Sequence, residues 1–169
     1  MRTLTLVAVL LLLQVAALAN RYNKLYALSQ RLYNEKIITI HPRVFVDYLI
    51  HISTAESSLL LNAKSRKTGD EGLWQWTAIT RKELGVNNVH KYTIEQQVRL
   101  MYKHAKFLKS KFKRIKSRED LYKCLAFPNV RCITPKSRLW KFYKHLDLNH
   151  DKKICKKDLK LRLNDIRYY

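Results

Sequence analysis

The stretch TAESSLLLNAKSRKTGDEGLWQWT, residues 54–77, interrupts an otherwise helical sequence and decides how the chain folds. From about residue 60 to residue 76 it lacks a helical period, and it holds two of the chain's three glycines. It also contains three of the thirteen acidic residues, Glu56, Asp70 and Glu71. We expect a helix to carry Glu56 to the edge of an irregular loop that contains the other two acids.

Helical patterns flank this stretch on both sides, and no segment has the pattern of a long strand. Upstream, Pro42 can start a helix whose apolar positions continue into Glu56. Downstream, Thr93 and Gln96 form a capping box before a helix that we expect to reach Ile115, because its apolar residues alternate steps of four and three. Shorter helices are predicted before Gly85, after Ser117, after Pro135 and over residues 156–163.

The N-terminal segment differs in composition from the rest of the chain. Residues 1–19 combine Arg2, an apolar run and the sequence Ala17-Leu18-Ala19, which is the pattern of a cleaved secretory signal peptide. The alternative is an uncleaved membrane anchor, since roughly 17 apolar residues lie at the lower limit of a membrane span. We therefore expect an exported protein, whether periplasmic, secreted or tethered to a membrane.

The remaining chain is long enough for one hydrophobic core. The sequence has 169 residues, of which 47% are hydrophobic, and no low-complexity linker divides it. We predict a helical domain over residues 20–145 and a C-terminal segment over residues 146–169. A monomer is expected.

The chain is strongly basic, with a net charge of +21, or +20 without residues 1–19. Such a charge attracts polyanions. Nucleic acid is a common partner of basic chains, but here it would require residues 1–19 not to act as an export signal. Eight basic residues and no acid lie between Lys103 and Arg118, and we interpret them as a surface for anionic wall polymers or lipid. The alternative is an ordinary solvated face.

Three cysteines, Cys124, Cys132 and Cys155, allow one disulfide with one thiol left over, or none. The sequence has no Cys-x-x-Cys and no His-Glu-x-x-His pattern, so it encodes neither a zinc site nor a dithiol redox site of those types.

Several segments, in order, resemble the soluble-type lytic transglycosylases. ESSLLLNAKS, residues 56–65, has the spacing of that family's Glu-Ser-x-x-x-x-Asn-Ala-x-Ser motif. TGDEGLWQ, residues 68–75, is similar to its Thr-Gly-x-x-Gly-Leu-Met-Gln motif, with tryptophan in place of methionine. TAITRKELGV is similar to the segment that follows, and residues 93–108 and 118–128 resemble the distal helices of phage-type members.

This resemblance covers about residues 44–130 and implies a mainly α, lysozyme-like fold of the goose-type or transglycosylase kind, with a short irregular or β-like loop region. The family's Ala-Tyr-Asn-x-Gly motif is absent, and LYKCLAFPNV stands roughly in its place. Tyr122 in that segment is the best substitute for the motif's tyrosine. Leu59-Leu60-Leu61 also replaces the residues usual after the family's Glu-Ser.

The resemblance implies that Glu56 cleaves peptidoglycan glycan strands, first as acid and then as base, while the muramyl 6-hydroxyl closes onto C1 and leaves a 1,6-anhydro end. Protonating a departing oxygen suits a carboxyl whose partial burial helps it keep its proton. No cofactor is required. A lysozyme-type hydrolase on the same fold would need a second carboxylate. Asp70 is the candidate, although Asp70 and Glu71 could both be solvated loop residues.

Four further residues are candidates for substrate contact. Ser57 lies in the cleft by resemblance and could orient Glu56, or it could be a simple polar residue at a helix end. Gln75 could bind substrate or brace the loop, Trp74 could stack on a sugar or belong to the core, and Tyr122 is assigned to the substrate site. A non-catalytic cationic protein that binds walls or membranes is the alternative from another functional class.

Near the C-terminus, DLNHDKKICKKD follows the ligand order of an EF-hand-like calcium loop. The predicted ligands are Asp147, Asn149, Asp151 and Asp158. Lys152 replaces the usual glycine, and Asp158 replaces the usual glutamate, which weakens the expected calcium binding. A capped turn is the alternative interpretation.

Overall fold

The computed structural model describes residues 2–126, 132–136 and 150–164. Within these ranges the chain forms seven α-helices and one short 3-10 helix, Val89–Lys91, and the only β-type pairings there are isolated bridges. The mainly α class is therefore confirmed. The helices are α1 (Arg2–Asn34), α2 (Pro42–Ser57), α3 (Ala78–Leu84), α4 (Ile94–Phe107), α5 (Lys109–Phe112), α6 (Arg118–Ala126) and α7 (Lys156–Asn164).

Helix α1 continues without a break through the predicted end of the signal segment. Residues 12–20 are exposed, and the buried face begins at Leu25 and continues through Leu28 and Leu32. In the described part of the chain, no helix combines the length and the apolar character that crossing a membrane requires.

Helix α2 lies at the centre of the fold. Pro42 occupies its first turn, where a missing N–H costs nothing, and the His41 side chain accepts a hydrogen bond from the first turn. Its apolar face buries Phe45, Leu49 and Ile52 completely. Helices α1, α6 and α7 all pack against α2, so the position of its C-terminal end is fixed from several sides.

The prediction of one long helix that reaches Ile115 is wrong about where the helix ends. The capping box of Thr93 and Gln96 is present, but α4 ends at Phe107 and α5 starts after Leu108, whose φ of −102° departs from helical geometry. This break lets Phe112 and Ile115 enter the core, where Phe112 packs against Phe45 on α2. Tertiary packing therefore overrides a continuous helical pattern.

An aromatic group joins the irregular loop to α4. The ring of Trp76 packs edge-on against His104 at 5.1 Å and against Trp74 at 6.1 Å. His104 is 1% exposed, and burial lowers its pKa to about 4, so the ring is neutral over most of the pH range.

A disulfide joins Cys132 to Cys155, which leaves Cys124 as a buried thiol. Burial raises the pKa of Cys124 to about 11, so this thiol is unreactive near neutral pH. Beside the disulfide, Ile133 and Ile154 exchange backbone hydrogen bonds. Helix α7 starts directly after Cys155, and the carbonyl of Leu163 lies 2.8 Å from His51 Nε2 on α2.

Candidate functional site: a cleft at the C-terminal end of helix α2

Glu56 lies in the last turn of α2, at the rim of a cleft of about 540 Å³. The helix ends because Ser58 and Leu59 both adopt left-handed backbone conformations, with φ of 51° and 63°. The Glu56 side chain is half-buried. The other residues that line the cleft are Ser57, Ala63, Lys64, Ser65, Lys67, Thr68, Asp70 and Gln75.

The side chain of Tyr122 on α6 reaches the candidate acid. Tyr122 is 5% exposed, and its hydroxyl donates a hydrogen bond to Glu56 Oε1. A neutral donor of this kind orients a carboxyl group without adding a charge beside it. The structure thus brings together the acid of the first motif and the tyrosine that the sequence placed at the position of the missing motif.

Ser57 has a structural role at this site. Its hydroxyl lies 2.9 Å from the carbonyl oxygens of both Ser53 and Leu73, and the residue is 7% exposed. The bond to Leu73 ties the end of α2 to the loop that faces it. Ser57 therefore fixes the two walls of the cleft relative to each other.

The loop of residues 64–76 folds back on itself through bridges from Glu71 to Lys64 and to Trp76. This is the short β-like region that the sequence predicts. Gly72 has a φ of +80°, and a Cβ atom there would lie 2.7 Å from Gln97 Oε1. Gly72 is therefore required both by its backbone conformation and by the close approach of α4.

Gln97 is a supporting residue that the sequence did not reveal as part of the site. Its buried amide accepts a hydrogen bond from the backbone N–H of Leu73 at 2.7 Å and donates one to the carbonyl of Leu61 at 2.9 Å. One side chain of α4 thereby holds both sides of the loop. The sequence signal that could have identified Gln97 is its polar side chain among the apolar positions of α4, between Ile94 and Met101.

Gln75 and Trp74, adjacent in sequence, take different positions. Gln75 lines the cleft, and its Nε2 donates to the carbonyl of Gly72 at 2.9 Å, which braces the loop. Trp74 is 3% exposed, and its indole N–H points to the carbonyl of Leu49 at 3.4 Å. Trp74 is therefore a core residue, which fits the core alternative and does not support its assignment as a stacking surface for sugar.

Asp70 lines the same cleft as Glu56. Its Oδ2 accepts a hydrogen bond of 2.8 Å from the hydroxyl of Thr68, which lies 2.8 Å from the hydroxyl of Ser65. This wall of the cleft therefore presents hydroxyl groups and one carboxylate, together with the basic side chains of Lys64 and Lys67. Such groups match the hydroxyl and amide groups of a polysaccharide.

Glu71 belongs to a buried ionic cluster outside the cleft. Its carboxylate is 5% exposed and lies 3.3 Å from Lys64 Nζ, 3.4 Å from Arg81 Nη1 and 3.0 Å from His90 Nδ1. Burial raises the pKa of Glu71, but hydrogen bonds from His90 and Lys64 and the charge of Arg81 outweigh it and lower that pKa to about 2. The prediction that Glu71 is a solvated loop acid is wrong.

The predicted calcium ligands are only partly described. Asp147 and Asn149 lie outside the described residues. Asp151 forms an ion pair with Lys157, and Asp158 is buried with Oδ2 accepting from the backbone N–H of Cys155 at 2.9 Å. These two contacts fit the capped-turn alternative, and calcium binding stays a prediction.

Comparison with protein-family models, curated proteins and solved structures gives no match for this chain. The site must therefore be interpreted from its own chemistry. It offers a half-buried carboxyl with a tyrosine donor and, lining the same cleft, the hydroxyl groups of Ser65 and Thr68, two lysines and a second carboxylate at Asp70.

Proposed function

We propose that this protein is an exported lytic transglycosylase that cleaves peptidoglycan between muramyl and glucosaminyl residues, with Glu56 as general acid and then general base. One observation carries the proposal: Glu56 is held by the Tyr122 hydroxyl at the rim of an open cleft. The motif resemblance of residues 56–75 supports it independently. The lysozyme-like fold belongs to the same proposal.

The proposed reaction begins when Glu56 protonates the glycosidic oxygen as the bond to the muramyl C1 breaks. The deprotonated Glu56 then removes the proton of the muramyl 6-hydroxyl, whose oxygen attacks C1 and forms the 1,6-anhydro ring. The proton that left Glu56 is thus replaced, and no water is consumed. The Tyr122 hydroxyl holds the carboxyl in one orientation through both steps.

A lysozyme-type hydrolase is the second candidate, and the position of Asp70 in the same cleft favours it. A hydrolase needs a second carboxylate, either as nucleophile or as the base that activates water. Glu71 is a poor candidate for this role because its carboxylate is held by three basic side chains.

Mass spectrometry of the fragments released from purified peptidoglycan tests the proposal. We expect anhydro ends from the native chain and from Asp70→Asn, and almost no fragments from Glu56→Gln. Reducing ends, which are heavier by one water, together with loss of activity in Asp70→Asn, would establish the hydrolase instead. Wall binding without any cleavage by the native chain would overturn both and favour the non-catalytic cationic protein.

A further inference from the structure

The C-terminal end of α4 and the residues after it carry several exposed basic side chains and one exposed aromatic side chain, Phe107. Phe107 is 65% exposed, which makes it the most exposed large apolar side chain among the described residues after residue 20. The exposed basic residues around it in sequence are Lys103, Lys106, Lys109, Lys113, Arg114 and Lys116. We call these residues together with Phe107 the Phe107 patch.

Few acidic groups lie near the Phe107 patch: Glu35 interacts electrostatically with Lys106, and Asp120 accepts a hydrogen bond from the backbone N–H of Lys116. No acidic residue occurs between Glu95 and Glu119. Among the described residues, the ion pairs do not include any lysine or arginine of the patch. The patch is therefore a concentrated positive surface whose natural counterpart is an anionic surface.

Phe107 distinguishes between possible anionic partners. A soluble phosphate polymer neutralises lysines but gives an exposed phenyl ring no apolar environment. An anionic bilayer supplies phosphate groups for the lysines and, just below them, an apolar layer for the ring. We propose that the Phe107 patch docks on an anionic lipid bilayer, with Phe107 inserted at the headgroup level.

The patch lies far from the predicted signal segment. Helices α1 and α4 run side by side in the same direction, since Lys24 pairs with Glu95 and Glu35 accepts from Tyr102 further along. Thr39, beyond the end of α1, hydrogen-bonds the carbonyl of Lys113. The helical part of α1 after residue 19 spans about 20 Å. The predicted signal segment and the Phe107 patch thus lie at opposite ends of α1.

The same geometry separates the patch from the cleft. Thr39 precedes the start of α2 in sequence, and its hydrogen bond places Lys113 of the patch near that end of the helix. Glu56 lies at the other end of α2. Helix α2 is about 24 Å long, at 1.5 Å for each residue. Docking through the patch leaves the cleft accessible at the other end of α2, which suits an enzyme acting on a polymer outside the membrane. Only this last point depends on the proposed transglycosylase function.

The test uses the predicted mature chain, which starts at Asn20 and keeps the whole described core, because residues 12–20 are exposed. Phe107→Trp places a reporter in the patch, and Ile79→Trp places one at a site of similar exposure on α3. Vesicles carry brominated acyl chains and contain either phosphatidylcholine alone or equal parts of phosphatidylglycerol and phosphatidylcholine. The signal is tryptophan quenching beyond that of the native chain.

We expect the Phe107→Trp emission to be quenched by the anionic vesicles only, and the Ile79→Trp emission by neither. Phe107→Ser should weaken anionic-vesicle binding about tenfold. The double change Lys106→Gln/Lys109→Gln should weaken it roughly thirtyfold at low salt. Circular dichroism of each variant establishes that it is folded.

Two results would overturn the inference. One is unquenched Phe107→Trp emission on vesicles that bind the protein, because docking would then involve another surface. The other is binding to soluble polyphosphate with no binding to anionic vesicles, which would identify a wall polymer as the partner. Neither result depends on glycan cleavage, so the vesicle measurement and the test of the proposed function fail independently.

Discussion

Glu56 and Glu71 belong to the same irregular stretch of sequence, yet the fold surrounds them with opposite chemistry. Glu71 is buried among Lys64, Arg81 and His90, and its lowered pKa keeps it ionised. Glu56 is half-buried beside the cleft, with a neutral tyrosine hydroxyl as a hydrogen-bond donor. The cations around Glu71 stabilise its ionised form, whereas the Tyr122 hydroxyl beside Glu56 carries no charge. Glu71 stabilises the loop, and Glu56 can perform chemistry at its edge.

The largest effect expected from this contrast is on activity. Glu56→Gln keeps the size and one oxygen acceptor for Tyr122 but removes the exchangeable proton. We expect peptidoglycan cleavage to fall by about 10²–10⁴-fold, the usual contribution of a general acid or base, with the unfolding midpoint nearly unchanged. Turbidity clearing of purified walls and thermal unfolding measure the two quantities. Full clearing activity in Glu56→Gln would remove Glu56 from the mechanism.

Glu71→Gln should produce the opposite result. It leaves Arg81, which is 13% exposed, without its carboxylate, and should lower the free energy of unfolding by about 3 kcal/mol. Folded protein should keep its specific activity. Glu95→Gln is the matched control, because its ion pair with Lys24 is exposed and its loss should not change stability measurably. Equal effects of the two changes in urea unfolding would contradict a structural role for the Glu71 cluster.

Stability should also decrease in two steps on acidification. The pKa of His104 is about 4 in the folded chain, against 6.5 for an unperturbed histidine, so its contribution is complete above pH 6.5 and lost as pH falls toward 4. The pKa of Glu71 falls from 4.5 to about 2 on folding, so its contribution is lost between pH 4.5 and 2. At each step the free energy of unfolding should fall by about 3 kcal/mol.

Urea unfolding measured at intervals from pH 7.5 to pH 2.5 would resolve the two windows. His104→Phe should remove the upper step, since a phenyl ring can pack on Trp76 and Phe112 without titrating. Glu71→Gln should reduce the lower step without abolishing it, because Glu35, Glu95, Glu119 and Asp151 also have lowered pKa values. An unchanged upper step in His104→Phe would assign it to another group.

The smallest effect concerns Tyr122. Tyr122→Phe removes only the hydroxyl that orients Glu56 and should reduce cleavage about tenfold, equivalent to roughly 1.4 kcal/mol in the transition state. Tyr102→Phe is a matched control, because that hydroxyl also binds a glutamate, Glu35, but on the outer side of α1 and α4. Equal activity of both variants would show that orientation by Tyr122 is unimportant.

Local signals predicted much of the helical framework. Pro42, the Thr93–Gln96 capping box and Gly85 each act within one or two turns, and the structure confirms all three. The break at Leu108 was not predictable in this way. It depends on Phe112 reaching a core formed by residues distant in sequence, and periodicity contains no information about that core.

The candidate site was also only partly predictable from the sequence. The motif spacing identified Glu56, and resemblance suggested Tyr122, which the structure places in contact with it. The motif could not decide whether Trp74 and Glu71 were buried, because their environments come from Leu49, Arg81 and His90, which lie outside residues 56–75. Sequence spacing places residues on a loop, whereas burial depends on what the rest of the chain packs against that loop.

The disulfide between Cys132 and Cys155 makes the protein's stability depend on its redox compartment. The bond closes a loop with a separation of 23 residues at the base of α7, which packs against α2 and α6. A crosslink over such a loop contributes about 3 kcal/mol in the chain-entropy estimate. While its thiols stay reduced the chain lacks this contribution, so α7 and the helix that carries Glu56 are held less firmly before oxidation than after it. The fully supported cleft thus belongs to the oxidised form.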